Sequence, residues 1–247
     1  MSELAGLDPG TALVIGLVAL LAATLSGVTG FGGAVVLLPV LVWAVGPRLA
    51  IPVLTVAQLA GNLARVGFNG REVEWRVATR FCLGAVPAAI TGSLAFAAVP
   101  VGLLTRALGL FLLACVAYRW LRPGPPGRFP LAGFLPLGAI FGFLSALLGS
   151  VGPVVAPFFL AHGLVKGAYI GTEALGAAAM HLTKTVVYGR LALLDGAALL
   201  LGGGLGLLMI AGSYLGKRVL DRLPAIWFTR LIEAVLIVAG LQLLSAG

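Results

Sequence analysis

The chain has 247 residues, 60% hydrophobic and 10% charged, with a mean hydropathy of +1.12 and a formal charge of +8. A soluble domain carries roughly 25% charged residues because it faces water on every side, so a soluble enzyme, a secreted disulfide scaffold and a disordered tail are excluded together. The basic excess reads as the cytoplasmic loops of a polytopic membrane protein rather than as a nucleic-acid surface, since no basic run is interleaved with aromatics.

No Lys or Arg precedes Arg48, so the first apolar segment lacks the basic start of a signal peptide and reads as a retained span. A span takes about 20 apolar residues. Apolar runs fall at residues 11–26, 31–45, 49–68, 77–99, 101–121, 129–148, 151–162, 168–188, 196–215 and 225–245. Eight are long enough to cross, or nearly so, while 31–45 and 151–162 are short and each follows a glycine-rich break. At ~1.5 Å per residue they fall short of a ~30 Å hydrocarbon core, which predicts half-helices joined to irregular backbone. Cys82 and Cys115 lie inside apolar runs and read as small buried hydrophobes. The stretch RPGPPGR at 122–128 has linker composition near mid-chain and invites a search for duplication.

An offset of 119 residues places Ser26, Gly30 and Gly33 on Ser145, Gly149 and Gly152. The same offset brings Asn62 to His181, Arg65 to Lys184 and Gly70-Arg71 to Gly189-Arg190. Offsets drift slightly through the loops, with Pro39 meeting Pro157 and Gly92-Ser93 meeting Gly212-Ser213. The expected architecture is an all-α polytopic membrane protein with two inverted-topology repeats of about five segments each, at 1–121 and 129–247, around the linker. If all ten segments cross, Arg71, Arg76, Arg119, Arg122, Arg128, Lys166, Lys217, Arg218 and Arg222 collect on one side, leaving Arg48 and Arg190 on the other. Re-entrant short segments would split the cations almost evenly. The positive-inside rule therefore favours ten crossings with both termini outside.

The motif SGVTGFGGAVVLLPVL begins at Ser26, and its degenerate copy SALLGSVGPVVAPFFL begins at Ser145. Glycine-rich backbone opening a short helix presents unpaired N–H groups at a positive dipole end, which suits an anion. The competing use of such glycines is close helix packing, and duplication of the whole motif leans toward binding. Candidate binding residues are Gly30, Phe31, Gly32 and Gly33 in the first copy and Gly149, Ser150 and Gly152 in the second, with Pro39, Pro153 and Pro157 as hinges.

Ionisable residues inside spans are costly and frequently functional. Arg65 lies about a turn before the cytoplasmic end of its segment and Lys184 similarly close to the outer end of its own, so that in an inverted pair they would flank the midplane from two sides; the alternative is snorkelling to the headgroups. Arg80, Arg106 and Arg230 read as snorkelling. Glu173 could relay a proton, neutralise a cation such as Lys184 or bond unwound backbone. His181, three residues before Lys184, places a titratable imidazole beside an ammonium, with proton coupling or a backbone-bonded core role open. Gln58 and Asn62 share the Arg65 face and are either interhelical glue or oxyanion ligands. No P-loop, GxSxG elbow, HExxH or Cys/His cluster at metal spacing is present, so neither a nucleotide-driven pump nor an enzyme is expected, and no metal site or cofactor.

With SGVTGFGGAVVLLPVLVWAVG and NLARVGFNGREVEW in one half, and IFGFLSALLGSVGPVVAPFFL and GTEALGAAAMHLTKTVVYG in the other, the chain resembles the sulfite exporter TauE/SafE family of anion permeases from about Leu20 to Leu244. Val151 and Pro153 depart from the glycine-rich form of that pattern. The resemblance implies a secondary transporter of small sulfur-containing anions such as sulfite, thiosulfate or organosulfonates, in the bacterial cytoplasmic membrane. Its partners would be a small anionic solute and the lipid bilayer, with a homodimer as the candidate assembly and no nucleic acid. An anion channel and a structural or assembly membrane protein are the alternatives.

Overall fold

The computed structural model describes residues 8–30, 33–121 and 128–219, with Ile237 and Leu241. Among these the chain forms α1 (Pro9–Thr29), α2 (Gly33–Asn69), α3 (Trp75–Ala98), α4 (Val101–Leu121), α5 (Phe134–Leu148), α6 (Gly152–Ala161), α7 (Lys166–Arg190) and α8 (Gly196–Val219), and no strand. The expected segment 225–245, the linker residues 122–127 and the candidates Phe31 and Gly32 lie outside the described residues.

Local chemistry sets the boundaries. The Asp8 carboxylate caps α1, accepting from the Gly10 and Thr11 N–H groups at 2.9 and 3.0 Å and from Thr11 Oγ1 at 2.6 Å. Those bonds, the Thr11 side chain first, hold its carboxyl below the ordinary value. α1 and α5 both end on a left-handed glycine, Gly30 at φ 77° and Gly149 at φ 79°. The two expected breaks therefore exist, and both turn at a glycine of positive φ. α6, at 10 residues, rises only ~15 Å, and is the short half-helix anticipated.

The expected short segment 31–45 is present as the first limb of α2, which non-helical backbone at Gly46 (φ 71°, ψ 161°) separates from the limb that carries the run 49–68. Pro39 sits inside that first limb, and the turn falls where glycine accepts positive φ without a Cβ clash and Pro47 starts the next limb. The run 129–148 opens with a 3₁₀ turn at Leu131–Gly133, so its α-helix begins at Phe134.

The second limb of α2 and helix α7 pack together at the centre, with α3 against α5 and α7, and α8 against α1 and α2. Both flanking pairs meet through small residues. A Cβ on Gly84 would stand 2.1 Å from the Leu135 carbonyl, and one on Gly216 would stand 2.3 Å from the Thr24 carbonyl. Glycines outside the two motifs thus serve close helix packing at α3–α5 and α1–α8.

The interior is apolar around residues such as Leu37, Leu41, Phe81 and Phe96, as in a soluble fold, but the outer surface is apolar too and the interior also holds charge. Leu13, Leu17 and Leu21 on α1 and Leu83, Ile90 and Leu94 on α3 are exposed, whereas Gln58, Asn62, Arg65, Glu173, His181 and Lys184 are buried. Five helical stretches, Pro9–Thr29, Gly33–Glu72, Trp75–Ala98, Leu131–Leu148 and Gly196–Arg218, are long and apolar enough to cross a membrane. The 25-residue α7 is not among them, because it carries Glu173, His181 and Lys184 within its length, all three buried in the protein interior. The chain is a multi-pass membrane protein.

The α2 kink is held from outside by Arg48. Its guanidinium donates to the carbonyls of Phe96, Ala97 and Val99 at the end of α3 and lies 5.7 Å from the Phe96 ring centroid. These are carbonyls a helix end leaves without intrahelical partners. Arg48→Ala is expected to cost about 1.5–3 kcal/mol, read as a lower thermal midpoint in detergent with anion affinity unchanged.

Candidate functional site

Gln58, Asn62 and Arg65 are spaced by four and three residues on α2, and Glu173, Ala177 and His181 by four and four on α7, so each set forms one helical stripe. The α2–α7 contact turns the stripes toward each other across a small cavity. That register is fixed at the end of α2, where the Glu72 carboxylate lies against Gly167 in the first turn of α7 and the Glu74 N–H donates to Thr172 Oγ1 at 2.9 Å. A carboxylate there complements the positive end of the α7 dipole.

The cavity leaves about 30 Å³ open to the centre of a water-sized sphere, more than the roughly 10–15 Å³ one water requires. Both glycine breaks reach it, Ser26 and Gly30 from the first half and Ser145, Ser150 and Gly152 from the second. Phe81, Val155 and Phe159 close its apolar side. The N-terminus of α6 therefore borders the cavity with its positive dipole end. At the start of α2 the Gly33 N–H is already donated to Ser26 Oγ at 2.8 Å.

The two matched cations are both buried, Arg65 at 5% and Lys184 at 0% exposure, which excludes snorkelling for either. Arg65 donates from Nη1 to the Gly30 carbonyl and from Nη2 to Asn62 Oδ1. Lys184 donates to Ser145 Oγ at 2.9 Å, the Ser145 carbonyl at 3.2 Å and the Gly149 carbonyl at 3.4 Å. Each cation thus reaches one of the two positive-φ glycines, Arg65 the one that ends α1 and Lys184 the one that ends α5, where carbonyls carry the negative end of the dipole. Their surroundings differ. Arg65 lines the cavity, while Lys184 lies behind Ser145 and does not.

Of the roles open to Glu173 the structure shows an ion pair, and its cation is Arg65: Oε2 stands 3.7 Å from Arg65 Nη1. Lys184, about three turns or ~16 Å further along α7, is out of reach. His181 Nδ1, Gln58 Nε2 and Glu173 Oε2 are buried without a hydrogen-bond partner, and all three residues line the cavity. Each orphaned atom costs about 1–3 kcal/mol when nothing meets it. Their convergence on one void, beside a guanidinium, is the arrangement of a site for a small polar guest.

Of the sequence candidates, Gly30, Gln58, Asn62, Arg65, Ser150, Gly152, Glu173 and His181 line the cavity. Gly33, Gly149 and Lys184 support it through the bonds just described. Pro153 is the second residue of α6 and Pro157 lies within it. Sequence reasoning passed over Ser26 and Ser145 as ligands, although the repeat had already matched them. It also missed Tyr169, whose ring would meet a Cβ on Gly30 at 2.5 Å and whose hydroxyl is buried without a partner; no spacing signals it.

The family described as Sulfite exporter TauE/SafE matches the chain over residues 15–243. No curated protein and no solved structure matches it.

Proposed function

The chain belongs to the sulfite exporter TauE/SafE family of membrane transporters, and from that premise we propose that it is a secondary transporter moving small sulfur oxyanions, sulfite, thiosulfate or compact organosulfonates, by alternating access. The observation that carries this reading is the buried Arg65 guanidinium lining a small cavity with three unpartnered polar atoms and the α6 N-terminus around it. A guanidinium recognises oxyanions through paired N–H donors, and a helix N-terminus adds favourable potential without a further charge.

Two further observations support alternating access. Under the repeat, α1 corresponds to α5 and α3 to α8, so the contacts α3–α5 and α8–α1 exchange with one another. That exchange is what two inverted halves rocking about a shared site require. The charge distribution over ten crossings supports both termini outside and the basic loops in the cytoplasm of a bacterial cell.

Purified protein in liposomes is expected to move labelled sulfite or thiosulfate with saturable kinetics and counterflow. The same anions should raise its thermal midpoint, since a ligand that binds only the native state stabilises it. Flux without saturation or counterflow would assign a channel. Absence of flux and of stabilisation across the anion panel would remove the transport reading.

A further inference from the structure

Glu173 is the one acid among the described residues that lines the cavity, and the repeat does not demand it, since its mate 119 residues earlier is Leu54. Its carboxylate is 8% exposed. The 3.7 Å separation from Arg65 is a charge contact beyond hydrogen-bond range, and Oε2 has no other partner. Arg65 in turn spends two bonds on Gly30 and Asn62 out of the five N–H donors a guanidinium offers. Both members of the pair therefore keep unused bonding capacity on the cavity side.

We propose that the transported anion displaces Glu173 from Arg65, and that Glu173 takes up one proton as it does so, making the proton the coupled ion. This rests on the transport reading above and extends it. An oxyanion occupying the free guanidinium donors comes within a few ångströms of a carboxylate that is itself buried in the protein interior. Two anions on one cation in such surroundings do not both stay ionised. Protonation converts Glu173 from an acceptor-only group into a donor that can bond the guest. The step balances: one proton passes from water to the carboxylate, and the ionic contact with Arg65 passes from the carboxylate to the anion. What crosses is the anion plus one proton.

The groups facing Glu173 are consistent with its being the carrier. α2 supplies Arg65, with neutral Asn62 and Gln58; α7 supplies Tyr169 one turn earlier and His181 two turns later, while Lys184 is bonded away to Ser145 and Gly149. From α1, α3, α5 and the break before α6 the cavity receives Ser26, Phe81, Ser145 and Ser150, none of them charged.

The test is calorimetry of thiosulfate binding, an anion fully ionised near neutral pH, in two buffers of unequal ionisation enthalpy. Wild-type protein is expected to take up about one proton per anion, with affinity falling about tenfold per pH unit above the carboxyl's titration. Glu173→Gln is expected to bind with no proton uptake and no pH dependence. Binding by wild type without uptake would overturn the proposal while leaving the transport reading intact, and this measurement stands even where the variant fails to fold. Uptake retained in Glu173→Gln but lost in His181→Gln would assign the proton to the imidazole and overturn it equally. Wild-type protein that binds neither thiosulfate nor sulfite would overturn both readings.

Discussion

Arg65→Gln is expected to lower anion affinity by about one to two orders of magnitude, the equivalent of one charge-assisted hydrogen bond at roughly 1.5–3 kcal/mol. The same change removes the counter-charge of a Glu173 that is buried beside it. Breaking a buried pair from one side costs about 3–5 kcal/mol, because the remaining charge is left uncompensated. The single variant should therefore lose both thermal stability and binding. Arg65→Gln combined with Glu173→Gln removes the stranded charge and should recover most of the stability without recovering the affinity. Anion-induced shifts of the thermal midpoint, measured for the single and double variants, separate the two effects. Wild-type affinity in the double variant would show that the guest does not rest on Arg65.

Lys184→Gln gives the contrasting result. From the sequence the two cations carry the same task, as repeat mates flanking the midplane. In the fold Lys184 is occupied by Ser145 and Gly149 and does not line the cavity. Its loss should lower the thermal midpoint by unfastening the second glycine break, while anion affinity changes by only a few-fold.

The second large effect is expected at the α3–α5 contact. A Cβ on Gly138 would stand 2.1 Å from the Phe81 carbonyl and 3.0 Å from the Ala85 amide. Neither atom is the free end of a side chain, so whole helices must separate to admit it. Overpacking by a methylene costs about 1–3 kcal/mol in a core that can adjust, and a backbone contact adjusts less. Gly138→Ala should reduce the folded yield sharply and Gly138→Val should abolish it, as read by a monodisperse peak in detergent. Gly203 lies in α8 with open space around it. Gly203→Ala should be neutral or stabilising by up to about 1 kcal/mol, since alanine loses less backbone entropy in a helix. Equal tolerance at the two positions would contradict the helix spacing described here.

The contrast between those glycines marks a boundary of sequence reading. Gly30, Gly138 and Gly203 are identical letters in similar apolar company, and only spatial neighbours divide them into a left-handed break against Tyr169, a backbone contact and an open surface position. Duplication did single out the breaks, because two halves that keep Ser, Gly and Gly in register across the chain keep the geometry those residues impose.

By itself the sequence determined the membrane class, most segment limits and the face shared by Gln58, Asn62 and Arg65. These follow from quantities local to the chain: apolar length against bilayer thickness, helical period and residue composition. It also placed both cations at equivalent points of the two halves. The tertiary structure decided the pairings. Glu173 meets Arg65 on another helix, Lys184 turns to Ser145, the α2 bend falls at Gly46 rather than Pro39, and Tyr169 closes on Gly30. A charge inside a membrane protein has to find a partner, but which partner depends on the rotation and register of helices far apart in sequence. Periodicity along one helix fixes the direction its residues face and leaves open what stands opposite.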